Sequence, residues 1–143
     1  MSTPTHWKKI LVPTDFSEDS LTALREAHRI QELTQAEVVL MHVTEPPFEG
    51  LRIHTGDLQH EVKVSATKRL QTLVAGYFHN SPHVTTLMKE GRAGDVICEV
   101  ARMQGVDAIV IATHGITALK HFMLGSVAEK VVRHAPCSVL VVR

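Results

Sequence analysis

Two turns of small residues flank a single strand and a single helix, and together they could hold an anion. The first turn, Ala112-Thr113-His114-Gly115, follows the apolar run Ala108–Ala112, and Gly125-Ser126 precedes a helical pattern nine residues later. Glycine allows close backbone approach and dihedral angles closed to other residues. A helix start adds unpaired N–H groups and a favourable dipole. The segment predicts an anion site, and the phosphates of a nucleotide fit it best.

Asp15 is a polar candidate at another strand end, in the segment Pro13-Thr14-Asp15-Phe16-Ser17. Its carboxylate could accept hydrogen bonds from ribose hydroxyls or from a base N–H. Asp15 and Glu18 also have the spacing of a capping box at a helix start, and spacing alone favours that interpretation. Ser126 and Glu129 have the same spacing, and there capping and phosphate binding are compatible.

Several catalytic and cofactor motifs are missing from the sequence. No G-x-G-x-x-G follows the first strand and no G-x-x-x-x-G-K-[ST] occurs, which argues against a dehydrogenase and a P-loop enzyme. The ten histidines show no ligand spacing for a metal, and no nucleophile with a base can be argued. His114 could donate to a phosphate or simply be exposed. The pattern predicts a binding site and no enzyme, with slow ATP hydrolysis left open.

The composition suits one compact domain over residues 1–143, of which 44% are hydrophobic. Lys and Arg together number 15, as do Asp and Glu, and this balance disfavours nucleic acid as a partner. No apolar run approaches the length of about 18 residues that predicts a membrane span. The polar start lacks a signal-peptide core, so we expect a cytoplasmic protein with free thiols at Cys98 and Cys137.

Apolar runs alternate with helical periods along the whole chain. This order predicts an α/β fold with a parallel sheet, right-handed crossovers and helices on both faces. The connection Thr44–Asp57, with its Pro-Pro pair and no clear period, is long enough to suggest a functional role. The predicted strands are Lys9–Thr14, Val38–Val43, His83–Lys89, Ala108–Ala112 and Val139–Val142. The predicted helical stripes centre on Leu24 and Ala27, on Val62, Ala66 and Leu70, on Ile97 and Val100, and on Val127, Val131 and Val132.

Four segments, in order along the chain, resemble the universal stress protein family. They are the opening Lys9–Ser17 (KILVPTDFS), Glu90-Gly91-Arg92, the pair of turns ending in Gly125-Ser126, and the closing His134–Val142 (HAPCSVLVV). The resemblance implies a three-layer, Rossmann-like sandwich with a five-stranded parallel sheet of order 3-2-1-4-5. It further implies a stress-response regulator that binds ATP, either alone or with Mg²⁺.

The ATP-binding branch of this family carries the pattern G-x2-G-x9-G-[ST]. By resemblance, Asp15 and the backbone at Val43 hold the adenosine, while Gly115, Gly125, Ser126 and the Val127 amide hold the phosphates. The predicted nucleotide-binding set, with neighbours in the turns, is Pro13, Thr14, Asp15, Val43, Ala112, Thr113, His114, Gly115, Gly125, Ser126 and Val127. AMP or a cyclic nucleotide in the same pocket is the alternative ligand.

Ala112 departs from this pattern, because it stands where the first glycine would be. Alanine fits there if the backbone φ is negative, whereas a positive φ would weaken binding. A dimeric interaction module without nucleotide is therefore the alternative function. The apolar strand Val139, Leu140, Val141 and Val142, placed at a sheet edge by the family order, predicts a homodimer paired along that edge. A regulatory partner is expected but is not identified by the sequence.

Overall fold

A computed structural model describes residues 6–46, 56–114 and 124–143 of the chain. In these ranges five strands form one parallel sheet of order β3-β2-β1-β4-β5, which confirms the expected topology. Each observed strand end lies within one residue of the predicted end. The strands are β1 Lys9–Pro13, β2 Glu37–Thr44, β3 Val84–Glu90, β4 Ala108–Ala112 and β5 Ser138–Val142.

Helices follow the first four strands. They are α1 Glu18–Thr34, α2 Gly56–Phe78, α3 Ala93–Gln104 and α4 Ser126–His134. The long connection predicted over Thr44–Asp57 is shorter than expected at its second end, because α2 begins at Gly56. Positions 47–55 of that connection lie outside the described residues.

Two apolar cores separate the three layers. Alternate residues of each strand point to opposite faces of the sheet. Thus Ile10 and Val12 pack with Leu24 of α1 on one face, called here the α1/α2 face. Leu11 packs with Ile97 of α3 on the other, called the α3/α4 face. The central strands β1 and β4 are continuous apolar runs because both of their faces are covered.

The helical stripes predicted from the sequence are largely buried, with two exceptions. Val62 is 46% exposed on α2 and Val132 is 47% exposed on α4. Val62 lies four residues from buried Ala66 and Val132 four residues from buried Ala128, but both stand at the margin of the buried stripe. The periodicity therefore places them correctly in helices but not on the buried face.

Both cysteines are free thiols, as expected. Burial raises the pKa of the Cys98 thiol and of the Cys137 thiol, so both are protonated at neutral pH. In the described ranges, no helix combines the length and apolar character needed to cross a bilayer.

The carboxyl ends of β1, β2 and β4 meet at one edge of the sheet. β1 lies at the centre, between β2 and β4, so the chain turns to opposite sides of the sheet after β1 and after β4. In open parallel sheets, ligands bind in the crevice at such a switch point. The turns after β1 and β4 are the ones that the sequence singles out.

Candidate functional site

The turn after β1 is fixed by Thr14, a buried polar residue. Its N–H donates to the Met41 carbonyl at 2.8 Å, which continues the pairing with β2 one residue beyond the strand. Its hydroxyl lies 2.9 Å from the Ser20 hydroxyl and accepts a hydrogen bond from the Phe16 N–H at 3.1 Å. Thr14 thus ties the end of β1 to the beginning of α1.

Asp15 stabilises the start of α1 without capping the helix itself. Its carboxylate accepts hydrogen bonds from the Ser17 N–H at 2.9 Å and from the Ser17 hydroxyl. Ser17 is the N-cap, and its side chain accepts from the Ser20 N–H at 3.3 Å. The capping interpretation of Asp15 and Glu18 was therefore wrong, because the helix begins at Glu18 and leaves Asp15 two residues before the cap.

Three side chains that the sequence did not single out hold this turn. Phe16 has a positive φ of 65°, which is unusual for a bulky residue. Its ring packs on His42, with 4.4 Å between ring centroids, and the Arg69 guanidinium carbon lies 4.1 Å from the Phe16 centroid. His42 Nδ1 lies 2.8 Å from the Thr14 carbonyl oxygen. No sequence signal marks the partly buried Phe16 and His42 or the exposed Arg69 for this role.

The turn after β4 brings Thr113 and Gly125 together across positions 115–123, which lie outside the described residues. The Gly125 N–H donates to the Thr113 carbonyl at 2.7 Å, and the Thr113 N–H donates to the Val142 carbonyl at 3.0 Å. The Thr113 hydroxyl lies 2.9 Å from His114 Nδ1. Gly115, predicted as a phosphate contact, is among the residues that are not described.

Gly125 is required by close approach and not by its dihedral angles. Its φ of −58° and ψ of 154° are open to any residue. A Cβ added at Gly125 would lie 3.0 Å from the Thr113 carbonyl oxygen and 3.5 Å from His114 Cα. The contact with His114 Cα is an ordinary one, but the Thr113 carbonyl oxygen is a backbone atom and would have to give by a few tenths of an ångström. Of the two roles expected for glycine, only the close approach applies at this position.

The start of α4 carries no side-chain cap. Gly125 occupies the N-cap position, Ser126 is the first helical residue, and the Glu129 N–H bonds the Gly125 carbonyl at 2.8 Å. The predicted capping box of Ser126 and Glu129 was therefore wrong, since it requires Ser126 at the cap position. The N–H groups of Ser126 and Val127 belong to the first turn, where an α-helix offers no internal acceptor.

A cavity of about 290 Å³ opens between the starts of α3 and α4. Arg92, at the N-cap of α3, and Lys130 place positive charge on its wall. Lys130 Nζ lies 2.6 Å from Asp95 Oδ1, and this hydrogen bond lowers the pKa of the Asp95 carboxyl. The lining residues are Glu45, Arg92, Ala93, Gly94, Ser126, Val127 and Lys130.

Ala112 fits its position without strain. It is the last residue of β4 and is 6% exposed, and its side chain belongs to the core on the α1/α2 face. The cavity lies on the opposite side of the sheet, between α3 and α4. The φ of Ala112 is not positive. Alanine therefore fits this position, because only a positive φ would have disfavoured it. The methyl group therefore does not point into the cavity.

We expect Ala112→Gly to lower stability and leave ligand binding nearly unchanged. Losing a buried methyl and adding backbone freedom should cost about 1–2 kcal/mol of unfolding free energy. Urea unfolding measures this cost, and calorimetric titration of the folded variant measures affinity. An increase in nucleotide affinity of tenfold or more would show that the alanine methyl does obstruct the site.

Comparison with known proteins gives the family. The sequence model of the Universal stress protein family matches residues 6–143. This chain belongs to the universal stress protein family. It is 36% identical over 143 residues to Universal stress protein MJ0531 of Methanocaldococcus jannaschii, covering 96% of this chain and 82% of the relative.

Solved universal stress proteins share the fold. The structure of MJ0577, also from Methanocaldococcus jannaschii, matches with a TM-score of 0.85 and 31% identity over 96% of both chains. A universal stress protein from Archaeoglobus fulgidus in complex with dAMP matches at 22% identity and a TM-score of 0.69, covering 96% of this chain and 99% of that one. Another universal stress protein, in complex with cAMP, matches at 22% identity and a TM-score of 0.65. The match covers 97% of this chain and 98% of that one.

This universal stress protein carries most of the predicted site residues at one edge of its sheet. Pro13 ends β1 and is followed by Thr14 and Asp15, Val43 is next to last in β2, and Ala112 ends β4. Ser126 and Val127 line the cavity beside that edge. Among the residues in the described ranges, no group of three His, Cys, Asp or Glu side chains could hold a metal ion.

Proposed function

We propose that this universal stress protein binds a nucleotide, with ATP favoured, and acts as a stress-response regulator without metabolic turnover. The observation that carries the proposal is the start of α4. Its first N–H groups, at Ser126 and Val127, open without a side-chain cap beside a cavity that Arg92 and Lys130 line. Helix N-termini with flanking cations suit phosphate.

The phosphates would lie between the Thr113–Gly125 contact and the start of α4. Gly125 keeps this backbone accessible, since it carries no side chain over the carbonyl of Thr113. His114 Nε2 is buried and has no hydrogen-bond partner among the described residues. When the Thr113 hydroxyl donates to Nδ1, the ring proton lies on Nε2, which could then donate to a phosphate oxygen.

The adenosine would lie towards the ends of β1 and β2. The Asp15 carboxylate, held by Ser17, is the acceptor that we assign to the ribose hydroxyls, since an ionised carboxylate accepts about four hydrogen bonds in all. The backbone at Val43 would contact the base from β2. The relatives in complex with dAMP and cAMP support an adenine nucleotide as the class of ligand.

A chain of several phosphates is favoured over a single one because the cavity continues from Ser126 to Arg92 and Lys130. Each added phosphate brings negative charge that Arg92 can offset, and that Lys130 can offset by exchanging its 2.6 Å contact with Asp95 for a phosphate oxygen. Glu45 is the carboxylate on the same wall, and it would face any Mg²⁺ that the phosphates carry. AMP and cyclic nucleotides are the alternatives, and they would leave Arg92 and Lys130 without a ligand.

Thermal melting with ATP–Mg, AMP and cAMP in parallel tests the proposal. Ligand at about 100 times its dissociation constant adds roughly 2.7 kcal/mol of stability. For a domain of this size we expect the melting temperature to rise on the order of 5–10 °C with ATP–Mg. No shift with any of the three at millimolar concentration would favour the interaction module without nucleotide, while a shift with AMP or cAMP alone would replace ATP as the ligand.

We also propose a homodimer through β5 in the cytoplasm. β5 is the end strand of the described sheet. The Val142 carbonyl accepts from Thr113 of β4, so alternation along the strand turns the N–H and C=O groups of Val139 and Val141 away from β4. An antiparallel second copy could pair with these groups and cover the partly exposed valines of this strand.

We expect Val141→Pro to convert the dimer to a monomer. Proline removes the outward N–H of the edge strand, which pairs with no strand inside one copy, and it is tolerated at edges. Sedimentation equilibrium would show the mass of one chain in place of two. Val132→Lys, which changes an exposed valine on α4, serves as the control and should leave the dimer intact. A monomeric unaltered protein at tens of micromolar would contradict the dimer.

A further inference from the structure

His42 contacts the residues on both sides of Asp15. Its Nδ1 lies 2.8 Å from the carbonyl oxygen of Thr14, the residue before Asp15. Its ring packs at 4.4 Å between centroids on Phe16, the residue after Asp15. A carbonyl oxygen only accepts, so Nδ1 must carry the proton and donate.

The turn that His42 holds adopts an unfavourable conformation. Phe16 has a φ of +65°, and such a conformation is unfavourable in a bulky residue and persists only where the surroundings impose it. His42 packs on the Phe16 ring, and the guanidinium of Arg69 from α2 lies over that ring at 4.1 Å. Together they stabilise the backbone on which Asp15 stands.

We propose that His42 is a positioning residue for nucleotide binding: it fixes the Thr14–Phe16 turn so that the Asp15 carboxylate is oriented before the ligand arrives. This inference rests on the proposed function, since it assigns Asp15 to the ligand. His42 itself does not touch the nucleotide. Its neighbour Val43 faces the α3/α4 core, and His42 faces the other side of the sheet by strand alternation.

Pre-organisation of this kind raises affinity because the ordering of the turn is complete before binding. Without His42, the Thr14 carbonyl loses its donor and Phe16 loses one ring contact, so the turn samples other conformations. Binding would then have to restore the turn. Loss of this hydrogen bond, and of the order that it gives to the turn, should raise the dissociation constant for the nucleotide about tenfold.

The test compares His42→Leu with His42→Asn by calorimetric titration with ATP–Mg. Asparagine can place its amide N–H₂ where Nδ1–H stood, whereas leucine offers no donor. We expect His42→Leu to bind about tenfold more weakly and His42→Asn to recover to within about threefold of the unaltered protein. His28→Leu is the control for removal of a histidine. His28 lies about 15 Å along α1 from the start of that helix, where it pairs with Glu32 and is far from the Thr14–Phe16 turn. Equal affinity of His42→Leu and the unaltered protein, or equal weakness of both His42 variants, would overturn the proposal.

Two measurements without nucleotide separate this inference from the proposed function. Nitrogen NMR of the unaltered protein should find the His42 proton on Nδ1, and amide exchange at Phe16 and Ser17 should become about tenfold faster in His42→Leu. A proton on Nε2, or unchanged exchange, would overturn the role of His42 even if ATP binds. Failure of the unaltered protein to bind any nucleotide would overturn the proposed function, and with it the assignment of the turn to a ligand.

Discussion

Replacing Gly125 with valine should weaken nucleotide binding by a factor of about 100 or more while the sheet stays folded. The new Cβ would lie 3.0 Å from the Thr113 carbonyl oxygen, and a branched side chain adds two further atoms beyond it. The β4–α4 turn would have to give by at least a few tenths of an ångström, and we expect this shift to misalign the N–H groups at Ser126 and Val127 with the phosphates. A hundredfold loss corresponds to about 2.7 kcal/mol, the size expected when several phosphate hydrogen bonds are misaligned.

Gly76→Val is the matched control for this change. Gly76 lies within α2, and among the described residues no atom comes within 4 Å of the position its Cβ would take. The control should bind ATP–Mg as the unaltered protein does in calorimetric titration. Circular dichroism should show the same secondary structure in both variants. Unchanged affinity in Gly125→Val would mean that the phosphates do not lie at the start of α4.

Replacing Asp15 with alanine should lower both nucleotide affinity and stability. The carboxylate accepts two hydrogen bonds from Ser17, so its loss should cost about 1–2 kcal/mol of unfolding free energy. Loss of its contacts with the ribose should weaken ATP binding about 10- to 100-fold. Urea unfolding and calorimetric titration measure the two effects separately.

Ser17→Ala separates the structural role of Asp15 from its binding role. This variant removes the N-cap of α1 and should cost about 1 kcal/mol, yet it keeps the Ser17 N–H that Asp15 accepts from. Its ATP affinity should stay within about threefold of that of the unaltered protein. If Ser17→Ala weakens binding as much as Asp15→Ala does, Asp15 acts only by stabilising the helix start.

The central strands were predictable because they are buried on both faces. The runs Ile10–Pro13 and Ala108–Ala112 are apolar without alternation, which identifies them as strands of a covered parallel sheet. The order of the strands came from the resemblance to the universal stress proteins. Helix periodicity failed only where a residue stands at the margin of a buried stripe, as Val132 does.

The details of the site depended on contacts that sequence spacing does not contain. The spacing of Asp15 and Glu18 matches a capping box, but the position of the cap is set by the positive φ of Phe16 and by the contact of its ring with His42. Gly125 makes the close backbone approach expected of a glycine, whereas its φ of −58° is open to other residues. Whether Ala112 fits depends on which face of the sheet its methyl occupies, which became clear only from the packing.

The most direct test of the nucleotide site is a titration of ¹⁵N-labelled protein with ATP–Mg, followed through its backbone amide resonances. We predict saturable shifts at Asp15, Gly94, Ser126 and Val127, which surround the cavity and the adjoining edge of the sheet. The amides of Leu33 and Met103, exposed near the far ends of α1 and α3, should not move. Absence of shifts at Ser126 and Val127, or shifts centred on Leu33 and Met103, would contradict the account.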